Sequence, residues 1–311
     1  MTDSPDHDPA PPPGIKRRGL FISVLLTLIL LEGISRLFIA APNHTLKPSQ
    51  DEALGYELSP GEHHAEGNLF QVPTYPVVVD EQGCRVLSHE SVISSGEALI
   101  LGDSFTYGDG VPYEDTFIHM LEQSLREQGD ELHLRNCAVP GYNLTQLARQ
   151  AQIQVQNGSP QWVMVGFFSN DLRGAPPLQE LLSNPWLYGP VAKWSRLLRM
   201  MNLGVLVAAG HMDPPHLEKE EITRALNDLE EAIATTGKAP LALIIEKPHH
   251  PEVDFPSLLN QRGWEVIKGP EIRDESLRIP RDGHLNRKGH EAVADALINP
   301  SSAWLPARGE P

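Results

Sequence analysis

The chain has 311 residues, 40% of them hydrophobic, and a formal net charge of −16; that is enough apolar material for one substantial core and too much for a chain disordered throughout. The first 41 residues hold four basic and four acidic groups, so the acidic excess lies beyond them and argues against nucleic acid or anionic lipid as a partner of the main body. Two cysteines, Cys84 and Cys137, exclude a disulfide-rich scaffold and an all-cysteine metal cage. Nothing in the sequence brings them within reach of each other, and two free buried thiols are expected.

Residues 1–18 are polar and proline-rich and end in Lys16-Arg17-Arg18, the composition of a disordered tail with a basic stop. Gly19 to Ala41 follows as a mostly apolar run, long enough to span a bilayer with some tilt. The basic cluster in front of it predicts a cytoplasmic N-terminus and an extracytoplasmic (periplasmic-side) remainder. Glu32 and Arg36 interrupt the run, but four residues apart they share a helical face and can offset one another. A cleaved signal peptide with Gly19 to Leu31 as its apolar core is the rival reading. Ile39-Ala40-Ala41 is a poor small-x-small site, so an uncleaved signal-anchor over 19–41 is expected.

Pro42 to Gly96 lacks helical periodicity and is rich in turn residues, which predicts a membrane-proximal segment with little core of its own. Within it, Tyr75 to Val79 and Cys84-Arg85-Val86, separated by Asp80-Glu81-Gln82-Gly83, read as a small strand-turn-strand unit. His63-His64 reads as solvated loop, since no further ligand spacing supports a metal site.

Ala98 to Leu101 is a predicted buried strand. Gly102 breaks it and leaves Ser104 at its carboxyl end, where open α/β sheets place their ligands. Asp115 is the predicted cap of a helix carrying Phe117, Leu121, Ser124 and Leu125. Leu132 to Cys137 is a second strand, Asn143 caps a helix with Leu147, Ala151 and Val155 on one face, and Trp162 to Phe168 is a third strand. Gly174 to Pro215 breaks the rhythm with prolines and glycines and then an amphipathic stretch containing Trp194, Leu197, Leu198, Met201 and Leu203. It reads as an inserted lid-like stretch. Leu217 to Thr236 is a charged helix, Leu241 to Ile245 and Val266-Ile267 are strands, and Asn286 to Leu297 is a closing helix, followed by a tail over 301–311. Such alternation predicts a parallel sheet covered on both faces, a three-layer α/β architecture.

Ser104, Gly141 and Asn170 each follow the carboxyl end of a different predicted strand, so one sheet edge gathers all three together with helix N-termini and their unpaired N–H groups. A serine hydroxyl needs an adjacent base to act as a nucleophile, and a tetrahedral intermediate needs preorganised donors. The loop before the last helix, Arg281-Asp282-Gly283-His284-Leu285-Asn286, offers a histidine with an aspartate two residues ahead. Taken singly, Gly-Asp-Ser and Asn-Asp are also ordinary turns.

Taken in order, Gly102-Asp103-Ser104-Phe105, Val139-Pro140-Gly141-Tyr142-Asn143, Phe168-Ser169-Asn170-Asp171 and the stretch from Arg281 to His290 resemble the four blocks of the SGNH (GDSL-type) hydrolases. Those blocks supply Ser, Gly, Asn and His in this sequence order. The resemblance implies a flavodoxin-like α/β/α fold with a central parallel sheet over 97–300. It also implies Ser104 as nucleophile and His284 as general base, with the Ser104 and Gly141 N–H groups and the Asn170 side chain as oxyanion donors. Leu54 to Gly61 looks like part of the preface carried by membrane-anchored relatives.

Two departures stand out: Phe105 replaces the motif's leucine, and the aspartate precedes the histidine by two residues rather than three. The shorter spacing also occurs in anchored and alginate-type relatives, so Asp282 is the candidate to orient the imidazole. The expected activity is that of a serine esterase acting through an acyl-enzyme, with an O-acetylated glycan among the candidate substrates. No cofactor, metal or nucleic acid is expected; His249-His250 and Glu252 lack an orienting spacing, and His290 reads as structural. An O-acyltransferase acting on a sugar hydroxyl and a non-catalytic carbohydrate-binding or assembly protein would carry the same fold.

Overall fold

A computed structural model describes residues 13–38, 45–65, 74–88, 96–174, 195, 197–198, 201, 214–280 and 282–298. The expected disordered tail over 1–18 is corrected in its last part, since a helix begins at Pro13 and takes in residues 13–18; residues 1–12, most of the lid-like stretch and the tail over 301–311 fall outside these residues. Helix α1 (Pro13–Phe38) contains an apolar window, Gly19–Arg36, long enough to cross a membrane, and its leucines and isoleucines face outward. Within it Arg36 Nε and Glu32 Oε1 meet at 2.9 Å. Glu32 also accepts hydrogen bonds from Ser195 Oγ at 2.9 Å and from the Leu197 N–H at 3.0 Å.

The chain then forms β1 (Leu46–Pro48), β2 (Tyr56–Leu58), β3 (Gly61–Ala65), β4 (Tyr75–Val79), β5 (Arg85–Val86), β6 (Gly96–Leu101), α2 (Ser104–Tyr107), α3 (Phe117–Glu127), β7 (Leu132–Asn136), α4 (Leu144–Gly158) and β8 (Trp162–Phe167). It continues with α5 (Lys219–Ala234), β9 (Leu241–Ile244), α6 (Phe255–Gln261), β10 (Glu265–Lys268) and α7 (Arg287–Ile298). One eight-stranded sheet runs β10-β9-β8-β6-β7-β5-β4-β3. Its first five strands pair in parallel.

Strand pleating explains the layers. On β6, Leu99 and Leu101 pack with α4 and α5 on one face, while Ala98 and Ile100 pack with α3 and α7 on the other. A strand buried on both sides must be apolar throughout, which is why Ala98 to Leu101 reads as a continuous run. Because β7 and β8 lie on opposite sides of β6, the strand order reverses at the β6/β8 boundary. Open α/β sheets place their ligands at such a boundary, beyond the carboxyl ends of the strands.

Several local expectations change. The segment before β6, expected to have little core of its own, is packed into the main core: Leu54, Tyr56, Leu58, Tyr75, Val77 and Val79 are buried in the same cluster as Leu99 and Leu101. β5, β4 and β3 extend the sheet in antiparallel fashion, so it is mostly rather than wholly parallel. His63 and His64 lie on β3, not in a loop. The free thiols are replaced by a Cys84–Cys137 disulfide. Its cause is register, because β5 meets β7 at Arg85↔Asn136 and this places the two flanking cysteines opposite each other, Cα to Cα 4.1 Å. Thr116, not Asp115, caps α3. Asp115 ends the preceding 3-10 turn, and its carboxylate meets Arg287 at 2.8 Å.

Candidate active site

The turn after β6 is built for tightness. A Cβ on Gly102 would overlap Thr106 Oγ1 and come within 3.0 Å of the Gly166 carbonyl oxygen, so no side chain fits where the backbone folds into α2. Asp103 caps that helix through Oδ1, which accepts the Phe105 N–H at 2.9 Å. Ser104 is therefore its first residue. Gly108, at φ +83°, ends the helix after a single turn. From β5 the buried Arg85 closes the far end, donating to the carbonyls of Tyr107 at 2.9 Å, Gly108 at 2.7 Å and Val111 at 2.7 Å, with its guanidinium 4.7 Å from the Tyr107 ring centroid.

The histidine arrives on a second tight loop. The Ile279 N–H donates to the His284 carbonyl at 2.8 Å, and Gly283, at φ +92°, donates back to the Ile279 carbonyl at 3.0 Å. Asn286 then caps α7 through the Gly289 N–H at 3.1 Å and pins the loop by donating to the Ser276 and Arg278 carbonyls. The result is a continuous contact: Asp282 Oδ1 lies 2.7 Å from His284 Nδ1, and His284 Nε2 lies 2.8 Å from Ser104 Oγ. The structure brings Ser104, His284 and Asp282 together despite the short spacing in the chain.

Electrostatics set the direction of this chain of hydrogen bonds. Burial pulls the His284 pKa down, but the bond to Asp282 and the charges of Asp109, Asp282 and Asp103 outweigh it and hold the pKa above its ordinary 6.5. Burial raises the Asp282 pKa while the same imidazole lowers it further, so the carboxyl ionises more readily than usual. An ionised Asp282 accepts from Nδ1–H, which leaves the Nε2 lone pair to accept from Ser104 Oγ–H. The Phe105 ring stacks on Phe168 with centroids 3.5 Å apart and lies 5.0 Å from the imidazole, walling that side with apolar surface.

Gly141 and Asn170 occupy the turns after β7 and β8, the strands flanking β6. Gly141 has φ +80°, a conformation that favours glycine. Asn170 is exposed at the mouth of its turn, held through its own carbonyl, which accepts the Arg173 N–H at 3.0 Å. His290 is buried on α7, where its Nδ1 accepts the Phe117 N–H at 3.3 Å. Burial, then the charges of Arg85 and His284, push its pKa down to about 3, so it is a neutral packing group.

The sequence model of the GDSL-like lipase/acylhydrolase family matches residues 100–292, more than half of the chain. The chain belongs to this family. Its members hydrolyse ester bonds, and this protein is accordingly an SGNH-type hydrolase of esters. Among solved structures, it is similar to the psychrotrophic esterase EstA from Pseudoalteromonas sp. at 13% identity and TM-score 0.47, over 68% of this chain and 99% of the esterase. The SGNH-hydrolase family esterase AlinE4 matches at 17% identity and TM-score 0.41, over 70% of this chain and 100% of its own. A family 3 carbohydrate esterase from Clostridium thermocellum matches at 14% identity and TM-score 0.39, over 65% and 92%. No match to a curated protein was found.

Around this SGNH frame stand residues that sequence reasoning passed over. Tyr56 donates to the Pro140 carbonyl at 3.0 Å and Tyr142 donates to the Tyr56 carbonyl, so β2 braces the Gly141 turn from behind. Tyr75 Oη donates to Asp109 Oδ1 at 3.2 Å and accepts the Gly110 N–H at 2.8 Å. Arg85 in a predicted strand was the available signal, since an arginine among apolar neighbours needs acceptors.

Proposed function

We propose that this SGNH hydrolase is a membrane-anchored serine esterase in which Ser104 is the nucleophile, His284 the general base and Asp282 the group that orients the imidazole. The observation that carries the reading is the continuous contact from Asp282 through His284 to Ser104, at 2.7 and 2.8 Å. As Ser104 Oγ bonds to the acyl carbon, its proton passes to His284 Nε2 and the carbonyl oxygen takes up negative charge. The Ser104 and Gly141 N–H groups and the Asn170 amide are assigned to that oxyanion. Collapse expels the alcohol, protonated by His284, and water then hydrolyses the acyl-enzyme with His284 again as base.

The substrate class proposed is a short-chain ester, with O-acetylated glycan as the leading candidate. The packed Phe105–Phe168 wall supports a small acyl group. Along the same sheet edge, past β9 and β10, a cavity of about 550 Å³ carries Lys247, Asn260, Lys268 and Arg273 among apolar residues such as Ile244 and Ile272, a mix that would serve both the hydroxyls and the apolar faces of a sugar. The anchor proposed is the apolar helix α1, with the remainder outside the cytoplasm. A disulfide at Cys84–Cys137 fits that oxidising side.

A fluorophosphonate probe tests the mechanism on the full chain: one adduct is expected, on Ser104, and none in Ser104→Ala. Undiminished labelling of that variant would sink the assignment. Product analysis with acetylated glycans separates hydrolysis, which releases acetate, from transfer, which yields a newly acetylated sugar. Protease protection in spheroplasts tests the topology, and a mature N-terminus near Pro42 would replace the anchor with a cleaved signal.

A further inference from the structure

Two aspartates that the proposed mechanism does not use lie buried at the β6/β8 boundary. Asp103 immediately precedes Ser104 and Asp171 immediately follows Asn170; they are 1% and 0% exposed. Each commits one carboxyl oxygen to its own turn: Asp103 Oδ1 accepts the Phe105 N–H at 2.9 Å and Asp171 Oδ2 accepts the Phe168 N–H at 2.8 Å. The other two oxygens, Asp103 Oδ2 and Asp171 Oδ1, are sealed from solvent with no hydrogen-bond partner among the described residues. Neither aspartate forms an ion pair among those residues. Because β6 and β8 are paired neighbours, with Leu101 opposite Val165, the two turns leave the sheet side by side.

Two ionised carboxylates are not tolerable in such a place. Burial penalises each charge, and each charge penalises the other. A single proton between the two bare oxygens removes their mutual repulsion, leaves one buried charge instead of two, and satisfies both atoms.

We propose that Asp103 and Asp171 share one proton, with Asp171 Oδ1–H donating to Asp103 Oδ2, so that the pair carries one negative charge and cross-links the nucleophile turn to the turn bearing Asn170. Acidities point the same way: burial, then the Asp103 charge, hold Asp171 well above the carboxylate range. Burial likewise pushes Asp103 up to about 6, opposed by the Phe105 N–H and by His284. The Asp171 carbonyl accepts the Leu144 N–H at 2.9 Å, so this residue also holds the start of α4, just beyond Gly141. Asp103 and Asp171 are thus positioning residues for all three turns. The ionisable groups acting on the imidazole nearby are Asp109, Asp282 and Asp103 itself.

Infrared spectroscopy of the full chain near neutral pH tests the pair without reference to activity. Wild type should show the carbonyl band of an un-ionised carboxyl, lost in Asp171→Asn, whose amide N–H replaces the O–H donor. The kinetic arm rests on the esterase reading. Asp171→Ala, which strips Asp103 of its donor, should lose about 10–100-fold in kcat with KM little changed, and Asp171→Asn should recover about tenfold of that. Absence of the band in wild type, or equal kcat for the two variants, overturns the proposal. Should Asp171→Ala fail to fold, the comparison of wild type with Asp171→Asn by infrared still decides it. A Ser104→Ala variant that stayed active would instead overturn the esterase mechanism and leave the infrared result untouched.

Discussion

The two halves of the sheet do different work. Three of its five parallel strands, β6, β7 and β8, end in the turns that carry Ser104, Gly141 and Asn170, and these residues are partly open to solvent. The three antiparallel strands, with the neighbouring β1–β2 pair, contribute buried arginine and tyrosine side chains whose bonds run to backbone carbonyls of those same turns. One half presents the groups to which the proposed chemistry is assigned, and the other fixes the backbone beneath them. Changes in the first should therefore alter rate at constant stability, whereas changes in the second should alter stability first.

The sharpest test of that division is Ser104→Ala or His284→Ala, each expected to cost on the order of 10⁶ in kcat, since members of one catalytic unit each remove nearly the whole effect. Circular dichroism melting should show little change in Tm. Asn170→Ala removes one proposed oxyanion donor and should cost about 10²–10³ in kcat, again in a folded protein. An Asn170→Ala protein that unfolds would break the comparison on the parallel side.

On the other side, Cys84→Ser opens the disulfide that joins β5 to β7, across a sequence separation of 53. A loss of about 2–4 kcal/mol in denaturant unfolding is expected, with kcat per folded molecule close to wild type. Reduced kcat at unchanged stability would show that the brace acts directly on chemistry.

The smallest effect concerns pH. A base whose pKa is raised must be deprotonated to work, so the acid limb of kcat/KM should lie above 6.5, and Asp282→Asn should move it down by removing the bond that raises it. The stability linkage has the opposite sense. The raised pKa contributes stability that is fully present below pH 6.5 and is lost as pH rises through the folded value, so the enzyme gains activity as this contribution fades.

The same division governs what the sequence discloses. The turns that hold Ser104, Gly141 and Asn170 could be placed because each follows an apolar run, and the loop that holds His284 because it precedes the last helix; turn chemistry is local. The layered α/β fold was legible from the continuous apolar strands for the same reason. By contrast, the disulfide depends on one antiparallel pairing, Arg85↔Asn136, between segments far apart in the chain, and no local pattern encodes that register. β5 was placed as the second strand of a small strand-turn-strand unit, but with only two residues it gave no sign of its pairing with β7 or of its place in the core. The cap of α3 slipped from Asp115 to Thr116 because a preceding 3-10 turn shifts the phase by one residue, which composition alone does not show. Asp103 and Asp171 were visible as motif residues, but their mutual burial emerges only when β6 and β8 lie side by side.

The grip of Glu32 on Ser195 and Leu197 bears on how such an enzyme finds its substrate. Between Phe38 and Leu46 only seven residues intervene, and fully extended they reach roughly 25 Å. With α1 held in a bilayer, a leash of that length and a second handhold at Glu32 leave the active site little freedom to tumble or to rise away from the surface. Were α1 the membrane anchor proposed above, the search would be two-dimensional, over esters carried on molecules at the same membrane. Lateral diffusion of the anchor, more than collision in solution, would then set how often Ser104 encounters an ester.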